Sequence, residues 1–116
     1  MKMSLENVPM VDKDIVMERL DGDGELYDEL VEIYFSDVPM QYKIMQDSFY
    51  SDDRKTLERQ AHSMKSASAN IGAERLRAVV FKLEKTALDG EKTEIAALIE
   101  QFNEEYLLLE KHLGRA

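Results

Sequence analysis

The feature that most constrains this chain is its apolar period. Between turn signals, hydrophobic residues recur at steps of three to five, and no run alternates with period two. Steps of three and four line one stripe of an α-helix, whereas a step of two lines one face of a strand. The expected fold class is therefore all-α. Leu26, Leu30, Ile33, Val38, Tyr42, Met45 and Phe49 mark a long helix over 25–50. Pro39 inside it predicts a kink or restart near Ser36–Val38. Ser51-Asp52-Asp53 offers N-caps for a helix over 53–70, and Gly72 a left-handed residue to end it. Leu76, Val79, Val80, Leu83 and Ala87 predict a helix from Ala73 or Glu74 to Leu88, stopped by Asp89-Gly90. Ile95, Leu98, Phe102, Tyr106, Leu109 and Leu113 predict the last, from Glu91 to Leu113. Val11 to Leu20 is a short amphipathic segment ahead of these, and unpatterned residues 1–10 read as a flexible N-terminal arm. Short loops between amphipathic helices predict an antiparallel up-down four-helix bundle with a short additional N-terminal helix, the bundle domain spanning 11–113.

Several function classes fall away on composition. At 116 residues one domain with a real core is expected. No apolar run approaches the roughly 18 residues that span a bilayer, so no membrane partner is expected. Met1-Lys2-Met3-Ser4-Leu5-Glu6 lacks the apolar centre of a signal peptide. With no cysteine there is neither disulfide nor thiolate metal site, which suits a cytoplasmic location. The net charge of −9 argues against nucleic acid, whose phosphates demand Lys and Arg. Asp21, Asp23, Glu25 and Glu32 fall at positions 1, 3, 5 and 12 of an EF-hand loop, but Leu26 occupies the position where the sharp bend needs glycine. That stretch reads as a turn and an acidic first helical turn, with no metal.

The charge is uneven. Residues 54–85 hold eight basic side chains (Arg54, Lys55, Arg59, Lys65, Arg75, Arg77, Lys82, Lys85) and three acids (Glu58, Glu74, Glu84), a local balance of +5. At the centre lies Gln60-Ala61-His62-Ser63-Met64-Lys65-Ser66-Ala67-Ser68-Ala69-Asn70-Ile71-Gly72. A helix advances about 100° per residue. Leu57, Ala61, Met64 and Ser68 then share an inward stripe of small and apolar side chains, and His62 faces outward or flanks it. Lys65 sits one turn on from His62, and Ser66 and Ala69 keep the approach low. An imidazole of ordinary pKa near 6.5 is mostly neutral in the cytoplasm, so its lone pair is free to attack phosphorus. Lys65 offers an ammonium to a phosphoryl oxygen, and the basic island a favourable field for an acidic partner. No Gly-x-x-x-x-Gly-Lys-Ser/Thr or Gly-x-Gly-x-x-Gly loop is present to hold a nucleotide. A phosphoryl group must therefore arrive on another protein. His112, in the last turn of its helix, suits the helix dipole and reads as structural.

Ala61-His62-Ser63-Met64-Lys65-Ser66-Ala67-Ser68-Ala69-Asn70-Ile71-Gly72 resembles the core of histidine phosphotransfer (HPt) domains of multistep two-component phosphorelays, roughly Ala-His-x-Leu/Met-Lys-Gly-x-Ser/Ala-x-x-Ile/Leu-Gly. Leu20-Asp21-Gly22-Asp23-Gly24-Glu25-Leu26-Tyr27 with Glu29-Leu30, and later Arg75-Leu76 and Leu83-Glu84, are similar to other parts of that family. The resemblance covers most of 11–113 and implies a monomeric bundle. His62 would be the phospho-acceptor and Lys65 the support for the phosphoryl oxygens. The partner would be a response-regulator receiver domain, that of a hybrid histidine kinase among them. It would supply the divalent metal, so no cofactor is expected on this chain. Glu58, Arg59, Ser66 and Ala69 are the expected docking residues. Such a chain is a phosphoryl carrier, without ATP-dependent kinase activity. Ser66 stands where the family usually has glycine and adds a hydroxyl beside the docking surface. The alternative is a helical docking module that binds a signalling protein without phosphotransfer.

Overall fold

The computed structural model describes residues 2–115. Five helices follow in order: α1 Lys13–Arg19, α2 Gly24–Tyr50, α3 Arg54–Asn70, α4 Glu74–Thr86 and α5 Lys92–His112. No strand occurs among the described residues. Helices α2 to α5 form the up-down-up-down bundle and α1 closes one end. Cross-contacts fix the directions: Tyr27 reaches the Ile71 carbonyl while Tyr34 meets Ser68, so α2 and α3 run antiparallel.

Capping residues set the boundaries. Asp12, Asp23 and Asp53 accept from the backbone amides of Ile15, Leu26 and Thr56, satisfying donors that the first helical turn cannot. Gly72 ends α3 at φ +72°. Its amide donates to the Ala69 carbonyl at 3.1 Å and that of Ala73 to the Ser68 carbonyl at 2.9 Å, the paired bonds of a Schellman motif. The same glycine admits α1. A Cβ there would lie 2.5 Å from the Asp12 carbonyl oxygen, and the Asp12 amide donates to the Gly72 carbonyl.

Two expectations need correction on α2. Pro39 does not restart it; Gly24–Tyr50 is one continuous helix of 27 residues. Pro39 faces solvent, and its missing N–H removes one hydrogen bond from the helix. The inward stripe of its first half is also displaced by about one residue. Tyr27, Val31, Tyr34 and Phe35 are buried, whereas Leu26 and Ile33 are exposed. Adjacent apolar pairs (Leu26-Tyr27, Leu30-Val31, Ile33-Tyr34) leave the pattern ambiguous, and the tyrosines take the inside because their hydroxyls find partners there. Burial also pushes the Tyr34 hydroxyl pKa up, so it stays neutral.

The core joins Val38 and Met45 of α2, Leu57, Ala61 and Met64 of α3, Leu76, Val79, Val80 and Leu83 of α4, and Ile95, Leu98, Phe102 and Leu109 of α5. Aromatic rings tie α2 to α5, with Tyr42 stacked on Phe102 and Phe35 against Tyr106. The N-terminal arm has no helix but lies on the bundle. Leu5 is buried, and the Met3 amide and carbonyl both bond the Gln101 side chain. Lys2 reaches Glu104.

Candidate functional site

Helix α3 places its inward stripe where the sequence puts it: Leu57, Ala61, Met64 and Ser68 are all buried. With those four facing the seam, His62 lies outside it, its side chain 62% exposed. Lys65, one turn on, is partly buried on the side of α4.

One carboxylate joins the two. His62 Nδ1 lies 2.6 Å from Glu84 Oε2, and Lys65 Nζ donates to Glu84 Oε1 at 2.7 Å. Burial alone would push the Glu84 carboxyl up. The hydrogen bonds from Lys65 and then His62 outweigh it and hold the group below its ordinary range. Glu84 is thus ionised at neutral pH, and an ionised carboxylate can only accept. The bond to His62 therefore assigns a proton to Nδ1, and in the neutral ring the Nε2 lone pair is then the free one. Phe81 of α4 completes the surroundings: Lys65 and Lys85 both stand over its half-exposed ring, at 5.3 and 4.8 Å from the centroid.

Periodicity within α4 does not assign Glu84 to the site, although the sequence carries a signal for it. A hairpin folded about Gly72 sets residues on α3 level with residues roughly as far beyond the turn on α4, and that mirror brings 80–84 beside His62. The flank of the Val80–Leu83 stripe then selects Glu84.

The remaining expected residues lie on α3 with differing exposure. Ser66 and Arg59 are exposed, and Arg59 Nη2 donates to Thr56 Oγ1 at 3.3 Å. Glu58 and Ala69 are partly buried, and the Ala69 carbonyl accepts from Arg19 Nη2 at 3.4 Å. Half of the basic island is engaged with partners in the chain itself. Arg75 forms a bidentate pair with the buried Glu105, Arg77 pairs with Glu74, and Arg54 donates to Asp52 and to the Ala87 and Gly90 carbonyls. Lys65 is committed to Glu84. Lys55, Arg59, Lys82 and Lys85 form no ion pair among the described residues, so the field around His62 is weaker than the +5 count implies. His112 stands exposed at the end of α5, beside a groove of about 520 Å³ lined by Lys13, Tyr27, Glu32 and Arg115.

The family model of the Hpt domain matches residues 29–112. The chain belongs to the Hpt family. Among solved structures it is similar to histidine-containing phosphotransfer protein B (HptB) of Pseudomonas aeruginosa PAO1, at 25% identity and a TM-score of 0.78, covering 95% of this chain and 99% of that one. No curated protein matches it. As an Hpt protein it is a phosphoryl carrier of a two-component phosphorelay, and its partners are receiver domains of response regulators. No helix among the described residues is long and apolar enough to cross a membrane.

Proposed function

We propose that His62 is the phospho-acceptor and that it reacts through Nε2. The observation that carries this is the bond from Nδ1 to Glu84, which leaves Nε2 unprotonated on an exposed ring. In the forward step Nε2 donates its lone pair to the phosphorus of a receiver's aspartyl phosphate. The P–O bond to the aspartyl carboxyl breaks, and its electron pair stays on the departing carboxylate. No base is needed, because the nucleophile is already deprotonated. The onward step reverses this toward a second receiver, or returns the group to the first. Catalysis by this chain is positional: it presents the ring for in-line approach.

Lys65 supports the phosphoryl oxygens by turning from Glu84, which lies within the same reach. Glu58, Arg59, Ser66 and Ala69 border the approach and contact the receiver. Any divalent metal belongs to the receiver, and this chain binds no cofactor of its own. The protein acts as a cytoplasmic monomer, and the receiver of a hybrid histidine kinase is among its partners.

The test is to mix the protein with a receiver carrying labelled phosphate. Wild type should take up acid-labile, base-stable label and His62→Gln should take up none, while labelled ATP alone should label neither. Equal labelling of His62→Gln and wild type overturns the assignment.

A further inference from the structure

We infer that Glu84 keeps the Nδ1 proton of His62 in place throughout the phosphorylated state, so that the phosphoryl group stays on a protonated, readily leaving ring. The inference rests on the reading that His62 accepts through Nε2. It concerns how long the group persists, and it makes Glu84 a positioning residue that acts through His62.

The balance of charge and protons leads there. Attack by Nε2 converts a neutral ring into an N-phosphorylated imidazolium that still holds its Nδ1 proton. An unsupported ring can release that proton to water and become a neutral phosphoimidazole. Onward transfer from the neutral form would expel an anionic imidazolide, a poor leaving group. From the protonated form the acceptor's oxygen bonds phosphorus, the Nε2–P bond breaks with its electron pair returning to Nε2, and a neutral imidazole leaves. With Nδ1–H retained, no proton need enter or leave in either direction.

The geometry supplies the retention. Glu84 Oε2 stands 2.6 Å from Nδ1, on a carboxylate already held ionised. A charged acceptor strengthens such a bond and favours the protonated ring. The other charged groups at the ring are few. On α3, Glu58 and Lys65 lie about one turn to either side. On α4, Lys85 shares the Phe81 ring with Lys65. Among the described residues, neither α2 nor α5 brings a charged side chain into bonding distance of His62. The two lysines oppose the positive ring and Glu58 makes no bond to it, so retention depends on Glu84. There is also a coupling. When Lys65 turns to the phosphoryl oxygens, Glu84 loses its neutralising partner and its hold on Nδ1–H strengthens.

The experiment compares wild type with Glu84→Gln, which keeps an oxygen acceptor but removes the charge. Each is phosphorylated from a labelled receiver, the label is mapped to His62, and the receiver is removed. Loss of phosphoryl is then followed by phosphorus NMR from about pH 6 to about pH 9, across the range where imidazoles titrate. Wild type should keep a flat decay rate to higher pH. Near pH 8 the phosphoryl group of Glu84→Gln should persist roughly three- to tenfold longer. Coincident pH profiles overturn the inference and leave the acceptor assignment standing, whereas wild type without label on His62 overturns the acceptor assignment itself. Should Glu84→Gln fail to fold, nitrogen-15 NMR of phosphorylated wild type decides. An Nδ1 signal that stays protonated near pH 8 supports the inference, and one that has lost its proton there overturns it.

Discussion

At the scale of single residues, the two oxygens of Glu84 divide the labour of the site. One meets Nδ1 of His62 and the other accepts from Lys65, which under the proposed function turns from it to a phosphoryl group. Lys65→Ala should therefore lower phosphotransfer about tenfold, the worth of one charge-assisted hydrogen bond to the transferring group. Its ion pair is partly solvated, so the change in stability should stay within about 0.5 kcal/mol in denaturant unfolding. Loss of the folded state in that variant would instead make Lys65 a structural residue. Gly72 carries the opposite expectation. Gly72→Ala forces a side chain into a left-handed backbone and against the Asp12 carbonyl, so it should destabilise by at least ~2 kcal/mol and loosen α1. The outward placement of His62 and the neighbouring position of Lys65 were legible in the sequence because both lie on one helix, where spacing alone fixes direction. Glu84 was not, because its place depends on how α4 docks against α3, and no periodicity within one segment contains that.

At the scale of helices, α3 was the most legible element and α2 the least. Helix α3 carries few large apolar residues, so its stripe has one solution, and Ala61 at 0% exposure lies at its centre. Ala61→Leu should overpack the seam between α3 and its neighbours and cost roughly 1–3 kcal/mol; an unchanged melting temperature would contradict that packing. Helix α2 carries apolar residues on nearly every side, so hydrophobicity alone cannot orient it. Polar bookkeeping decides. Tyr34 turns inward because its hydroxyl meets Ser68 Oγ at 3.2 Å in the core. Tyr34→Phe removes that bond and leaves the buried serine hydroxyl without this partner, a loss of about 1–2 kcal/mol measurable by chemical unfolding.

At the scale of the whole molecule, the fold class followed from period and turn signals alone, and the described residues bear it out. The electrostatic landscape did not follow as readily. A count of basic residues cannot distinguish cations that face a partner from those that bind helix ends and buried acids, as Arg54 and Arg75 do. Paired carboxylates also set the pH response. Burial opposes ionisation of Glu84, but Lys65 and His62 prevail and hold its pKa below 4.5 in the folded chain; Asp53 and Glu32 are lowered as well, by Thr56 and Arg115. A carboxyl with a depressed folded pKa stabilises above its unfolded value, and that contribution vanishes as pH falls through the folded one. The melting temperature should therefore decline as pH falls below about 4.5, and Glu84→Gln should flatten part of that decline. A melting temperature that rises on acidification through this range would contradict the assignment of these pairs.

All three scales converge on one atom, the Nε2 of His62. Correlated phosphorus-31 and nitrogen-15 NMR of the phosphorylated protein tests that claim most directly. The expected result is a phosphoramidate phosphorus coupled to Nε2 of His62, with Nδ1 still bearing its proton. Phosphorus coupled to Nδ1, or attached to His112, would contradict it.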